Sequence, residues 1–337
     1  MTVKIGLIGC GGMGRAHIDR IVNELSGAEI VAAADVNLEA AQAVADSVGG
    51  DAKAYGTGAE LIADPNVDAV LIATFGSVHT PDVIGAIEAG KYVLVEKPLA
   101  TTAEDCQAIM EAEVRGGKKL VTVGFMRRFD KAYNEIKALV DGGEYGPVLM
   151  VHNRHRNPSV PESYTSRMLI DDTAIHEIDT MRWMTGEEIV KVRTDSVRKS
   201  TRAHAKLEEP IVLVFYTESG IRIDDEVNVN LEYGYSIECE VVMENAAARL
   251  GDQEGIYVRD VHGDRNRMCQ DHNDRFHGAF NAEVQSWINA VAEDTHTGSS
   301  SWDGYAATAV VDAALASQEQ GGTEVEVELI EKPDFYA

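Results

Sequence analysis

The chain has 337 residues, 45% of them hydrophobic, which is enough for about two domains with proper cores and excludes intrinsic disorder. A formal net charge of −26 argues against nucleic acid or an anionic membrane as partner. The four cysteines, Cys10, Cys106, Cys239 and Cys269, form no CxxC pair, so they read as buried or idle thiols in a reducing compartment, with no metal site. The first apolar run, Val3 to Ile8, is interrupted by Lys4 and ends at Gly9, too short for a signal peptide. No run approaches the length of a membrane span, and the expected location is the cytoplasm.

In chain order, strand and helix signals alternate. Val3–Ile8 is a strand that breaks at glycine, and Arg15–Leu25 has helical spacing. A strand over Glu29–Ala34 is followed by a helix near Leu38–Val48, a strand over Val67–Thr74 by a helix over Pro81–Glu88. Tyr92–Val95 is a strand ending at Glu96, Ala103–Arg115 a helix and Leu120–Gly124 a strand. Strands separated by helices of this length imply a doubly wound parallel sheet, a Rossmann-type α/β domain over 1–124.

From 125 to 337 the pattern changes. Val190–Thr194, Ile211–Tyr216 and Ile221–Leu231 read as longer strands. In the last of these Ile221, Ile223, Val227, Val229 and Leu231 alternate with polar residues, and Tyr235, Ile237, Cys239 and Val241 repeat the period of two. Phe276, Phe280, Val284, Trp287, Ile288 and Val291 share one helical face. The expectation is a C-terminal α+β domain on a large, mostly antiparallel sheet.

Gly9-Cys10-Gly11-Gly12-Met13-Gly14 fits G-x-G-x-x-G between a strand and a helix, the context a dinucleotide site requires. Gly9 allows the tight turn, Gly11 lets backbone reach a pyrophosphate, and Gly14 lets helix and strand pack closely. Asp35 follows Gly14 by 21 residues (35 − 14 = 21), at the end of the second strand. A carboxylate there accepts from the adenosine ribose and repels a 2′-phosphate, and Val36-Asn37-Leu38 offers no arginine to hold one, so NAD is preferred to NADP.

Lys97 stands at the carboxyl end of a strand, where open α/β sheets bind ligands, and Pro98 holds it out of helix. The tripeptide recurs as Glu331-Lys332-Pro333, which reads as part of an acidic tail beyond the nucleotide fold. Asp172 and His176 are four apart, which on a helix puts them on one face. An aspartate beside an imidazole suits a general base. Asp172 with His176, or His176 with Asp179, could equally ligate a metal, or form a buried structural hydrogen bond; no further His/Cys cluster completes a metal site. Seven of the ten histidines, His17 among them, suggest nothing beyond surface or packing.

Together with Gly124-Phe-Met-Arg-Arg-Phe129, His155-Arg-Asn-Pro158, Asp172-Thr-Ala-Ile-His-Glu-Ile-Asp179, Tyr233-Gly-Tyr235 and Trp302-Asp-Gly-Tyr305, these residues resemble the Gfo/Idh/MocA oxidoreductases over essentially the whole chain, and within them the inositol dehydrogenases. The resemblance implies Lys97, Asp172 and His176 as catalytic residues, and Glu96 and Lys97 close to the nicotinamide. It implies Arg127, His155, Asn157, Thr173 and Tyr235 as lining a polyol pocket. Thr74, Phe75 and His79 match the nicotinamide side of the cofactor site; Gly12, Met13, Asp35 and Val36 match its phosphate and adenosine side. A homotetramer assembled through the open faces of the large sheets is also implied. Three departures stand out: Arg167-Met168-Leu169-Ile170 where many members are glycine-rich, Ala174 where many have glycine, and Phe75 where close relatives carry tryptophan.

The expected reaction is NAD-dependent oxidation of myo-inositol to scyllo-inosose, with His176 as general base and Asp172 and Lys97 assisting. The rivals are the same chemistry on another inositol isomer or a sugar, and, more distantly, a non-catalytic dinucleotide sensor.

Overall fold

A computed structural model describes residues 2–250, 257–261, 263–266 and 268–337. The chain forms two compact units, one of 1–126, 280–308 and 330–337, the other of 127–279 and 309–329.

In the first unit the chain runs β1 (Val3–Ile8), α1 (Gly12–Asn23), β2 (Ala28–Ala34), α2 (Leu38–Val48), β3 (Lys53–Tyr55), α3 (Gly58–Ala63), β4 (Ala69–Ile72), α4 (His79–Glu88), β5 (Tyr92–Glu96), α5 (Ala103–Gly116) and β6 (Val121–Gly124). The strands pair in parallel in the order β3-β2-β1-β4-β5-β6. Every residue of β4 and β5 is buried, as expected of strands covered on both faces. The strand order reverses between β1 and β4, so the crevice outside their carboxyl ends is where this fold takes ligands. Strand β4 ends at Ile72, which leaves Thr74, expected at the strand end, in the loop that follows it.

The acidic tail is not beyond the nucleotide fold. Residues 330–337 belong to the first unit, because buried Glu113 needs its groups. One Glu113 oxygen accepts from the backbone of Leu120 (2.7 Å) and Val121 (2.9 Å), and the other from the hydroxyls of Ser301 (2.5 Å) and Tyr336 (2.8 Å). Lys332 lies 5.8 Å from the Trp302 ring centroid, so the second Glu-Lys-Pro is part of a packed strap.

The second unit contains α6 (Lys131–Gly142), β7 (Val148–Arg156), α7 (Ile175–Thr185), β8 (Ile189–Ser196), β9 (Ile211–Thr217), β10 (Arg222–Asn228), β11 (Ser236–Met243), β12 (Ala247–Leu250), β13 (Tyr257–Asp260) and β14 (Gly263–Asn266). The chain passes between units within α8 (His272–Ala292) and α9 (Ser301–Glu319), and β15 (Val325–Glu326) closes the sheet. The order is β12-β11-β7-β10-β9-β8-β15, antiparallel except for the parallel β7–β10 pair.

One face of this sheet is buried and the other half-exposed. Val151, Asn153 and His155 of β7 point to the buried face, beside Ile223, Asp225 and Val227 of β10 and Ile237, Cys239 and Val241 of β11. The other face carries Arg154, Arg156, Glu226 and Glu238 in alternating charge, with Arg154–Glu238 and Arg156–Glu226 contacts of 2.7 Å each.

Candidate active site

The residues expected to hold the cofactor lie in the first unit. Gly9 has φ +98°, and a Cβ there would sit 2.6 Å from the Ala73 carbonyl oxygen. At Gly14 a Cβ would meet the Gly9 oxygen at 2.0 Å, so the first turn of α1 packs onto the end of β1 only if residue 14 is glycine. Gly11 and Gly12 are exposed, and a Cβ at either would meet nothing within 4 Å. No side chain caps the α1 N-terminus. Its first-turn amides, at the positive end of the helix dipole, are therefore open to an anion such as a pyrophosphate.

Asp35 shapes this loop as well as facing the site. One carboxylate oxygen accepts from Cys10 N and the other from Asn37 N, both at 2.8 Å. Arg15 Nε donates to the Cys10 carbonyl at 3.0 Å. Burial, with the Asp35 charge, pushes the Cys10 thiol up to about 11, so it stays protonated and unreactive. Met13 is half-buried, whereas Val36 and Phe75 are 98% and 85% exposed, large apolar side chains at the crevice that a flat aromatic ligand would cover. The Thr74 hydroxyl is buried with no protein partner. His79 is wholly buried and holds the two loops from behind: Nδ1 lies 2.9 Å from Pro98 O and Nε2 3.1 Å from Thr74 O. Burial lowers its pKa, so the ring is neutral near pH 7 and donates to one carbonyl at a time. Lys97, half-buried, follows β5, and its peptide bond to Pro98 is cis.

These observations fit NAD. The open Gly11 and Gly12, the uncapped helix and the unpartnered Thr74 hydroxyl are what a dinucleotide would occupy.

The remaining expected residues, Arg127, His155, Asn157, Asp172, Thr173, His176 and Tyr235, lie in the second unit. Buried Arg127 forms a very short ion pair with buried Glu177. The two Glu177 oxygens lie 3.0 and 3.1 Å from His155 Nδ1, and Arg127 Nη2 lies 3.1 Å from the same atom. Burial pushes the Glu177 carboxyl up, but Arg127 and His155 outweigh it and hold it below its ordinary value. Facing an ionised carboxylate with both oxygens, His155 Nδ1 donates to Glu177. The His155 ring meets Tyr235 edge-on at 5.8 Å and lies 6.4 Å from the His176 ring. Burial raises the Tyr235 phenol, which therefore stays neutral.

Asp172 and His176 do not share one regular helix. Asp172 sits in a π-helical turn, Leu169–Ala174, and His176 in the first turn of α7. Such a wider turn is a frequent feature of functional sites and changes the face that Asp172 presents. Buried Thr173 has its hydroxyl 2.5 Å from Tyr164 OH, and burial, with the Asp172 charge, raises the Tyr164 phenol. The Asn157 side-chain oxygen is buried without a protein partner at the end of β7. Asp179 is buried in a two-pronged pair with Arg128, at 3.0 and 2.6 Å, so its oxygens are engaged away from any metal shared with His176.

Sequence reasoning missed Glu177, Asp225 and Asn153. Asp225 and Asn153 are register neighbours, buried, with all four side-chain polar atoms lacking a protein partner. Burial, then the Glu177 charge, raises the Asp225 carboxyl well above its ordinary value, which favours its protonated form. The signal was present: Asp225 falls in the apolar phase of Ile221, Ile223, Val227 and Val229.

Residues 3–125 match the oxidoreductase family with an NAD-binding Rossmann fold, and residues 133–249 match the GFO/IDH/MocA C-terminal domain. The chain is 47% identical to inositol 2-dehydrogenase 3 of Saccharopolyspora erythraea, over 100% of this chain and 98% of that protein. It is 45% identical to inositol 2-dehydrogenase of Agrobacterium fabrum, over 100% of both. Among solved structures it superposes with TM-score 0.97 and 37% identity, over 100% of both chains, on myo-inositol dehydrogenase from Lactobacillus casei in complex with NAD(H) and myo-inositol. With scyllo-inositol dehydrogenase from the same organism the TM-score is 0.90 and the identity 25%, over 97% of this chain and 99% of that one. The chain belongs to the Gfo/Idh/MocA oxidoreductase family.

Proposed function

We propose that the chain is an NAD-dependent inositol 2-dehydrogenase that oxidises myo-inositol to its 2-keto product, scyllo-inosose. The observation that carries this reading is the buried Arg127–Glu177–His155 cluster beside His176 and Tyr235, a set of directed donors and acceptors suited to a ligand bearing several hydroxyls. An apolar ligand would leave the buried Asn157 side-chain oxygen, which has no protein partner, unpaired at about 1–3 kcal/mol. The 37% identity and TM-score of 0.97 over 100% of both chains with the myo-inositol enzyme support the myo isomer.

In this reading His176 takes the proton of the reacting hydroxyl, and Asp172 orients the imidazole and balances its charge. Lys97 donates to the reacting oxygen and stabilises its developing negative charge. Arg127, His155, Asn157, Thr173 and Tyr235 hold the other hydroxyls and fix the carbon that reacts. Gly9, Gly11, Gly12, Met13 and Gly14 hold the pyrophosphate, Asp35 and Val36 the adenosine side, and Thr74, Phe75, His79 and Glu96 the nicotinamide side. NAD, when bound, supplies the hydride acceptor.

We assign NAD binding to 1–124 and substrate binding and oligomerisation to 125–337, of which 280–308 and 330–337 pack within the first unit. The charged face of the second sheet is the assembly surface of a homotetramer, and the location is cytoplasmic. No helix among the described residues is long and apolar enough to cross a membrane.

The test compares Lys97→Ala and His176→Ala with the wild type. Turnover of myo-inositol should be lost from both while NADH binding, followed by fluorescence, is kept. Loss of cofactor binding in step with turnover would mean that these residues shape the fold instead.

A further inference from the structure

Sequence reasoning gave His17 no role, yet it is 1% exposed at the centre of a chain of short contacts in the first unit. Its Nε2 lies 2.6 Å from Glu96 Oε1, and its Nδ1 lies 2.6 Å from Arg20 Nη1. Arg20 is one turn further along α1, with its guanidinium 4.8 Å from the Phe280 ring centroid; His17 meets the same ring edge-on at 6.2 Å. Glu96 is the last residue of β5, immediately before Lys97.

The donor inventory fixes the protonation of this chain. A guanidinium has only donors, so His17 Nδ1 must accept and carries no proton. The ring is then neutral, its proton is on Nε2, and that proton is donated to Glu96. Burial pushes the Glu96 carboxyl up, but the hydrogen bond from His17, first among the positive groups around it, holds it below its ordinary value, so it accepts. An imidazolium would set two donors against each other at 2.6 Å. A glycine-loop helix is thereby locked, through its second turn, to the strand end from which the lysine projects.

We infer that His17 is a positioning residue: held as the neutral Nε2–H tautomer between Arg20 and Glu96, it fixes the strand end that carries Lys97 relative to the helix that carries the glycine loop. This rests on the role proposed above for Lys97. A displacement of about 1 Å at a reacting group costs up to about 100-fold in rate, so loss of the lock should appear in kcat before it appears in cofactor binding.

The test compares wild type, His17→Ala and His17→Gln for kcat on myo-inositol, for the NADH dissociation constant by fluorescence, and for imidazole nitrogen signals by NMR on histidine-labelled protein. His17→Ala should lose about 10- to 100-fold in kcat with little change in NADH affinity. His17→Gln, whose amide still reaches Glu96 as a donor, should recover most of that loss. In the wild type, the signals absent from both variants should show a protonated Nε2 and a bare Nδ1. An alanine variant with wild-type kcat, or equal losses of kcat and NADH affinity in both variants, overturns the positioning role. A protonated Nδ1 on His17 overturns the lock whether or not the protein turns over myo-inositol. Absence of turnover in the wild type, with the nitrogen signals as expected, sinks the functional reading and leaves the lock standing.

Discussion

Glu177 faces His155 Nδ1 with both carboxylate oxygens, at 3.0 and 3.1 Å, while closing a buried ion pair with Arg127. One anion therefore holds two of the proposed hydroxyl-binding side chains. Glu177→Ala would leave Arg127 charged and buried without a counter-ion, a loss of about 3–5 kcal/mol. Denaturant unfolding should show a loss of that size; a loss near that of an exposed glutamate would contradict the pairing.

The same carboxyl makes stability depend on pH. Its folded value lies below the ordinary 4.5, so the stabilisation is fully present above that value and is lost as pH falls through the lower folded one. The melting temperature of the wild type should fall more steeply below about pH 4.5 than that of Glu177→Gln. Parallel curves would show that Glu177 does not titrate with unfolding.

Gly14→Ala places a methyl 2.0 Å from the Gly9 carbonyl oxygen. Helix and strand must part, so NADH binding should be lost and the first unit destabilised by about 1–3 kcal/mol. Gly12→Ala, whose Cβ meets nothing within 4 Å, should fold normally. Calorimetry and fluorescence titration of both variants check this, and equal stability of the two contradicts it.

Beside the adenosine-side role proposed for it, Asp35 accepts from Cys10 N and Asn37 N and so shapes the loop. Asp35→Ser should lower the preference for NAD over NADP, and it should also weaken NAD binding itself by loosening the loop. Dissociation constants for NADH and NADPH decide; an unchanged ratio refutes the discriminating role.

Much of the first unit was legible because a buried parallel strand leaves an uninterrupted apolar run, as in Ala69–Ile72, and because the glycine spacing is tied to steric need at Gly9 and Gly14. Strand β3 and helix α3 are too short to register by periodicity, although Thr57 and Glu60 spell out the capping box that starts the helix. In the second unit β7 was hidden for a functional reason: its buried face carries Asn153 and His155, so the strand that supplies the site lacks the alternation that marks its neighbours. Glu96 meets His17 only through the fold, from 79 residues away in sequence, which gave no sign of the contact.

The half-exposed sheet face alternates Arg154, Arg156, Glu226 and Glu238. Single exposed pairs contribute little, but a self-complementary lattice of charge favours a second copy. Light scattering should show a tetramer at low salt that weakens toward about 1 M salt, where screening acts within about 3 Å. A monomer under all conditions would contradict the assembly.

The most direct measurement is the rate of NADH formation by purified protein with NAD across myo-, scyllo- and D-chiro-inositol, glucose and xylose, repeated with NADP. The account predicts the highest kcat/KM on myo-inositol with NAD. Turnover confined to another polyol or to NADP, or none at all with NADH still bound, would contradict it.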